Sequence, residues 1–223
     1  MDLVLQRKLV VEFIGMFLFM FVVGMATNKT GAGALAPLAI GSVLMVMVFA
    51  GGHVSGGHFN PAVSTGVLLR GRMLPNEFVA YIITQFGAVL VAGFVVRYVG
   101  GREVHALVAS SGKMLVAEFL MTFALVWVVL HVATSRGTDG NSFYGLAIGF
   151  TVLAGAFAVG GTSGGAFNPA IAVGAMVTGL FEWSNIWIYF LADFLGGAAA
   201  AFAFLFVLPA EKEIGDIEAA STE

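Results

Sequence analysis

The eight-residue pattern Ser-Gly-Gly-x-Phe-Asn-Pro-Ala stands twice in this chain, at Ser55–Ala62 and Ser163–Ala170, among apolar stretches long enough to cross a bilayer. A duplication that long restricts the chain to folds built from two copies of one unit. In each copy Gly-Gly leads into Asn and Pro, which suit the cap and the first turn of a helix. Two short helices are therefore expected to begin at Asn60 and Asn168.

Hydrophobic residues make up 59% of the 223 positions and charged residues 10%, with a mean hydropathy of +0.97. Such a composition excludes an ordinary soluble domain. Spans need roughly 20 apolar residues, and six candidates lie at about 9–27, 34–52, 77–99, 114–133, 142–160 and 184–208. The stretches 60–69 and 168–180 are about half that length and follow glycines, so they read as re-entrant half-helices. Arg7 and Lys8 before an apolar run imitate a signal peptide, but the run is too long and no small-residue cleavage site follows. A retained span is expected there. With no Cys, disulfides and thiolate metal sites are excluded. His53, His105 and His131 are too scattered for a metal site, and a net charge of −3 decides nothing.

The two halves repeat in register. Asn60 to Asn168 is 168 − 60 = 108 positions, Gln85 to Asp193 is also 108, and Glu12 to Glu118 is 118 − 12 = 106. Val-Glu-Phe-Ile-Gly at 11–15 matches Ala-Glu-Phe-Leu-Met at 117–121. Three spans per repeat is an odd number, so the second copy threads the membrane in the opposite sense, and such inverted repeats build their site at the midplane. A single membrane domain over 1–209 is expected, with repeats of about 1–105 and 106–209. An acidic tail at 210–223 carries Glu211, Glu213, Asp216, Glu218 and Glu223 and reads as disordered. Arg7, Lys8, Arg70, Arg72, Arg136 and Lys212 fall on one side, against Lys29, Arg97, Arg102 and Lys113 on the other, a slight bias toward cytoplasmic termini.

These residues resemble the aquaporins, or major intrinsic proteins, across essentially the whole chain apart from the tail. Two Asn-Pro-Ala boxes in register carry the resemblance, and the run Gly52–Val63 is similar to the family's first pore loop. The resemblance implies an all-α membrane protein with six tilted spans and two half-helices meeting at mid-membrane. It also implies a homotetramer with one pore per subunit, in the plasma (cell inner) membrane, passing water and small neutral solutes without a cofactor.

The residues carry a physical reading of their own. Two half-helices aimed at one spot place both positive dipole ends there, which repels a cation or proton. Asn60, Pro61 and Ala62 with Asn168, Pro169 and Ala170 would form that element. If capping occupies only the Asn oxygens, their amide N–H groups can orient a passing water and interrupt a proton wire. Gly56, Gly57 and His58, with Gly164, Gly165 and Ala166, are expected to turn backbone carbonyls into the pore, the glycines permitting the unusual dihedrals. Glu12 and Glu118 lie inside spans, where an ionised carboxylate costs about 2.5–3.5 kcal/mol. Bracing the pore loops through backbone N–H groups is the expected role, as for their counterparts in the resembling family, and a proton relay is the rival. His58 reads as a hydrogen-bonded pore-wall residue, although a lone His there could sense pH near 6.5.

One departure matters for selectivity. Where the family usually carries an Arg after the second box, this chain has Ile171. The family's constriction, carried over by resemblance, falls on Ile40, Ala156, Gly165 and Ile171, none with a polar side chain. A wider, apolar ring that admits glycerol, urea or ammonia is expected, unless a one-position shift swings Phe157 into it. Asp193, mid-span at the repeat position of Gln85, has no evident partner; burial against Ser or Thr hydroxyls or at the subunit interface, where the acid could be protonated, is the expected state, and hydrating the pore or tuning cation access is the rival. No nucleophile–base set, phosphate loop or basic patch is present, which argues against an enzyme or a nucleic-acid partner. A secondary transporter shares the vocabulary of inverted repeats and intramembrane acids, and a non-conducting structural member of the fold is a third reading.

Overall fold

The computed structural model describes residues 2–100 and 110–212. Its helices are α1 (Leu3–Ala26), α2 (Ala36–Ser55), α3 (Pro61–Leu69), α4 (Pro75–Gly100), α5 (Ser111–Ala133), α6 (Tyr144–Ser163), α7 (Pro169–Thr178) and α8 (Ile186–Val207), with no strand among the described residues. Six are long and apolar enough to cross a membrane. Only helices satisfy every backbone group within one segment in lipid, and their outward faces stay apolar, as at Ile83, Phe94 and Phe206. The short helices α3 and α7 have nine and ten residues.

Helix α1 starts six positions before the apolar run does. Asp2 caps it by accepting from the Val4 N–H at 3.3 Å. The polar residues that follow stay helical, and Lys8 pairs with Glu77 of α4 at 2.6 Å. Hydropathy marks where a helix meets hydrocarbon, whereas capping decides where it begins.

A pseudo-twofold axis relates the repeats, pairing α1 with α5, α2 with α6, α3 with α7 and α4 with α8. Helices α2 and α6 meet on that axis. There Gly41 and Gly149, again 149 − 41 = 108 positions apart, face one another. A Cβ on Gly41 would stand 2.7 Å from the Gly149 carbonyl oxygen, and a Cβ on Gly149 would stand 2.6 Å from that of Gly41. Only glycine at both positions allows this crossing. Each half-helix packs on the last span of the opposite repeat, α3 on α8 and α7 on α4. The small residues Gly196 and Gly197 of α8 make room for this, Gly196 against α5 and Gly197 against Ala62 of α3.

The expected repeat boundary at 105 and tail residues 213–223 lie outside the described residues. The tail's expected start at 210 is corrected. Residues Pro209–Lys212 form a 3-10 turn, and Glu211 is buried. Its carboxylate accepts from Arg70 Nη2 at 2.5 Å, the Ser135 hydroxyl at 3.0 Å and the Arg136 N–H at 2.7 Å. Arg70, at the C-terminal end of α3, also donates to Thr134 Oγ1, Thr134 O and Glu211 O. A buried guanidinium needs this partner, so Glu211 is drawn out of the tail to close α3, the α5–α6 loop and α8 into one cluster.

Burial acts to raise the Glu211 carboxyl, yet the Arg136 N–H, the Ser135 hydroxyl and Arg70 outweigh it and hold the group below its usual 4.5. An acid depressed by folding contributes stability above its unfolded value and loses it as pH falls through the folded value. Glu211→Gln is therefore expected to destabilise the protein at neutral pH by about 2–3 kcal/mol, less than a fully buried pair because the carbonyls of 134 and 211 still hold Arg70. Thermal unfolding in detergent checks this, and the gap between the two proteins should close as pH drops below 4.5.

Candidate pore

The pore loops are built around two extended Asn caps, Asn60 at φ −166° and Asn168 at φ −163°. Asn60 Oδ1 accepts from the Ala62 N–H at 2.8 Å, and Asn168 Oδ1 from the Ala170 and Ile171 N–H groups at 3.0 and 3.3 Å. Their amide nitrogens cross over. Asn60 Nδ2 donates to Phe167 O and Asn168 Nδ2 to Phe59 O, both at 2.8 Å. Each amide has two hydrogens, so one on each side chain is committed to the opposite loop and one is left for the lumen. The crossing bonds lock one repeat to the other at the point where α3 and α7 begin.

Phe59 and Phe167 stand at φ 45° and 49°, in the left-handed region that bulky residues avoid. Such strain costs about 1–3 kcal/mol and persists only when its surroundings over-determine it. Here they do. Glu12, fully buried, accepts the His58 N–H at 2.9 Å and the Phe59 N–H at 2.8 Å. Glu118, also fully buried, accepts the Ala166 and Phe167 N–H groups at 3.1 and 2.7 Å. Each Phe is thus held by a carboxylate at its N–H and by the opposing Asn at its carbonyl. Gly56 and Gly164, left-handed at φ 86° and 92°, end α2 and α6 so that the chain can turn inward. Tyr81 and Tyr189 bind the carbonyls of Ser55 and Ser163 at 2.7 and 2.6 Å, one tyrosine per repeat.

A narrow central cavity runs between the two caps, with Asn60, Asn168, Gly57, His58 and Ala166 in its wall. The remaining wall is apolar and follows the repeat, Phe19 with Leu125 and Leu44 with Val152. These four were not singled out from the sequence, although their repeat spacing could have marked them. The cavity leads past His58 into a vestibule of about 690 Å³ at the face where α1 begins, lined by Lys8, His53, Arg72, Glu77, Arg136 and Asp139 among others. His58 Nδ1 lies 3.0 Å from Ser64 Oγ.

The major intrinsic protein family model matches residues 2–204. The chain belongs to that family. Aquaporin NIP1-1 of Zea mays is 35% identical to this major intrinsic protein over 95% of this chain and 78% of its own length. Glycerol uptake facilitator protein-like 6 of Lactiplantibacillus plantarum is 35% identical over 88% of this chain and 96% of its own. The X-ray structure of the aquaglyceroporin from Plasmodium falciparum matches with a TM-score of 0.77 over 93% of this chain and 98% of that one, at 19% identity, a likeness of fold. Membership makes the protein a multi-pass membrane channel for water and small solutes rather than an enzyme.

The four positions carried over as the constriction of this major intrinsic protein fall on α2 (Ile40), α6 (Ala156), the second pore loop (Gly165) and α7 (Ile171). Gly165 sits against Ala156, where a Cβ would stand 3.5 Å from the Ala156 Cα. Ile40 is half-buried against the core, and Ile171 is 3% exposed. Phe157 is 55% exposed and lines neither the central cavity nor the vestibule. The repeats differ most behind the loops. In the first, Gln85 Nε2 donates to Glu12 Oε2 at 2.9 Å and to Ser64 Oγ at 3.2 Å. In the second, the equivalents of His58, Ser64 and Gln85 are Ala166, Ala172 and Asp193. Among the described residues no group of three or more His, Asp or Glu side chains could hold a metal ion.

Proposed function

We propose that this major intrinsic protein conducts water together with small neutral solutes such as glycerol, urea or ammonia, and excludes protons at its paired Asn-Pro-Ala caps. The observation that carries the reading is the crossing of Asn60 and Asn168, which brings two helix N-termini to one point of the cavity with an amide hydrogen to spare on each. A water passing there accepts from both amides, so its hydrogens point away from the centre on both sides and no continuous proton wire forms. Cations meet two positive dipole ends. Pro61, Ala62, Pro169 and Ala170 set the first helical turns behind the caps, while Gly56, Gly57, His58, Gly164, Gly165 and Ala166 supply the pore-facing backbone.

Selectivity follows from Ile40, Ala156, Gly165 and Ile171, a ring without a side-chain donor and without the charge of an Arg. Glycerol, with an apolar backbone and a row of hydroxyls, suits an apolar wall facing loop carbonyls better than it suits a narrow charged gate. Glu12 and Glu118 brace the loops and carry no proton across the membrane. The protein assembles as a homotetramer with a pore in each subunit, its termini in the cytoplasm, in the plasma (cell inner) membrane.

Reconstitution in liposomes tests this. Stopped-flow light scattering with an impermeant sugar should show fast, low-barrier shrinkage. With glycerol or urea the shrinkage should be followed by rapid re-swelling that empty vesicles lack. Water flow without re-swelling would reject the wide ring. A correctly inserted protein with no response to any gradient would reject the channel and leave a transporter or a closed scaffold.

A further inference from the structure

We propose that Glu118 and Asp193 share one proton, and that Asp193 in this state is the positioning residue of the second pore loop, as Gln85 is of the first. The inference rests on the pore reading above and adds a proton-dependent element to it.

The geometry that leads here is the broken symmetry behind the loops. In the first repeat the Glu12 carboxylate receives an N–H from Gln85 at 2.9 Å, in addition to two backbone N–H groups and the Ser55 hydroxyl at 2.8 Å. In the second repeat Asp193 stands at the position of Gln85 and is fully buried. Thr122 donates to its Oδ1 at 3.0 Å, while its Oδ2 meets no donor. Besides Thr122, its neighbours are the Glu118 carboxyl, which stands to Asp193 as Glu12 stands to Gln85 in the repeat, and the backbone at Asn168. An ionised carboxylate only accepts, so two of them face to face have nothing to exchange and repel. One proton between them turns Asp193 into a donor and restores the hydrogen bond that the Gln85 amide supplies in the other repeat.

The surrounding elements offer no competing explanation for charge balance at this site. Helix α8 packs against α5, α3, α7 and the turns at Trp183–Asn185 and Pro209–Lys212. Helices α3 and α7 carry no ionisable residue. On α5, Lys113 is exposed near the outer end, and His131 lies 131 − 118 = 13 residues from Glu118, about 20 Å along the helix. Glu211 belongs to the cluster at the opposite end of α8. Tyr189 is close, but its hydroxyl is engaged with the Ser163 carbonyl at 2.6 Å.

Removal of the shared proton leaves two buried like charges beside Asn168, one of them holding the N–H groups of Ala166 and Phe167. Their repulsion pushes the second loop away from the first, whose Gln85 does not titrate. Conduction is therefore expected to fall at alkaline pH through the second repeat alone.

Infrared spectroscopy of the purified tetramer in lipid reads the proton directly. At neutral pH the wild type should show the carbonyl stretch of a protonated, buried carboxylic acid, shifting in heavy water and vanishing on alkaline titration. Asp193→Asn, which keeps a donor at the position, should lack that band. In liposomes the wild type should lose osmotic permeability severalfold over the alkaline range in which the band disappears, and Asp193→Asn should not. No such band in the wild type, or a band left intact by Asp193→Asn, or the same alkaline fall in both proteins, would overturn the proposal. The wild-type titration stands even where the variant assembles poorly. Because it reads a bond rather than a flux, its outcome is separate from whether the pore passes glycerol.

Discussion

Ile171→Arg is expected to lower glycerol and urea permeability by about tenfold or more, equivalent to ~1.4 kcal/mol or more on the barrier, while water permeability falls far less. Ile171 sits in the first turn of α7, tied by its N–H to Asn168 Oδ1 at 3.3 Å, so its position relative to the cap is rigid. It is 3% exposed and contributes to the apolar core, hence a guanidinium there must either extend along the lumen or leave five donors buried. The first choice narrows the ring and offers water a chain of donors that a carbon backbone cannot use. It also adds a positive charge beside two helix N-termini, so any cation leak of the wild type should shrink in the variant. Parallel re-swelling assays with wild type and variant measure the effect. Unchanged glycerol flux would move the selectivity-determining segment to the apolar walls at Phe19, Leu44, Leu125 and Val152.

Glu12→Leu is expected to prevent recovery of folded protein. The carboxylate holds four donors, from Ser55, His58, Phe59 and Gln85. Each buried donor left unsatisfied costs about 1–3 kcal/mol, so four of them cost about 4–12 kcal/mol, comparable with a typical protein's whole stability of about 5–15. Relief of the left-handed strain at Phe59 would offset part of this by letting the loop relax, and relaxation would itself break the crossing bond to Asn168. Size-exclusion profiles and thermal midpoints report the outcome. Glu118→Leu should behave alike, since it removes the acceptor of Ala166 and Phe167. A stable, monodisperse Glu12→Leu protein would reject the bracing role and revive the proton relay.

The spans and half-helices were legible because they depend on what adjacent residues share. Long apolar runs must become helices in lipid, and Asn-Pro marks a helix start through its own geometry. The 108-position register was legible too, since a repeat is a property of the string. From these followed the topology and the meeting of α3 and α7. The start of α1 is not legible because Asp2 caps the helix outside the apolar run, and the sequence does not place Phe157 because a one-position shift, a rotation of about 100° about α6, is invisible to hydropathy.

What chain order and local chemistry could not specify are contacts between residues distant in sequence. Asn60 reaches Phe167, Arg70 reaches Glu211, and Asp193 finds Thr122 and Glu118, each across a gap whose closure depends on how whole helices pack. A buried carboxylate announces that it needs donors without saying which, since any N–H brought within 3 Å would serve. The duplicated string settled that two helices begin at one place. Packing of α3 on α8 and α7 on α4 chose which groups meet there, because hydrogen bonds and charge pairs act over a few ångströms and only the assembled helices set distances that fine.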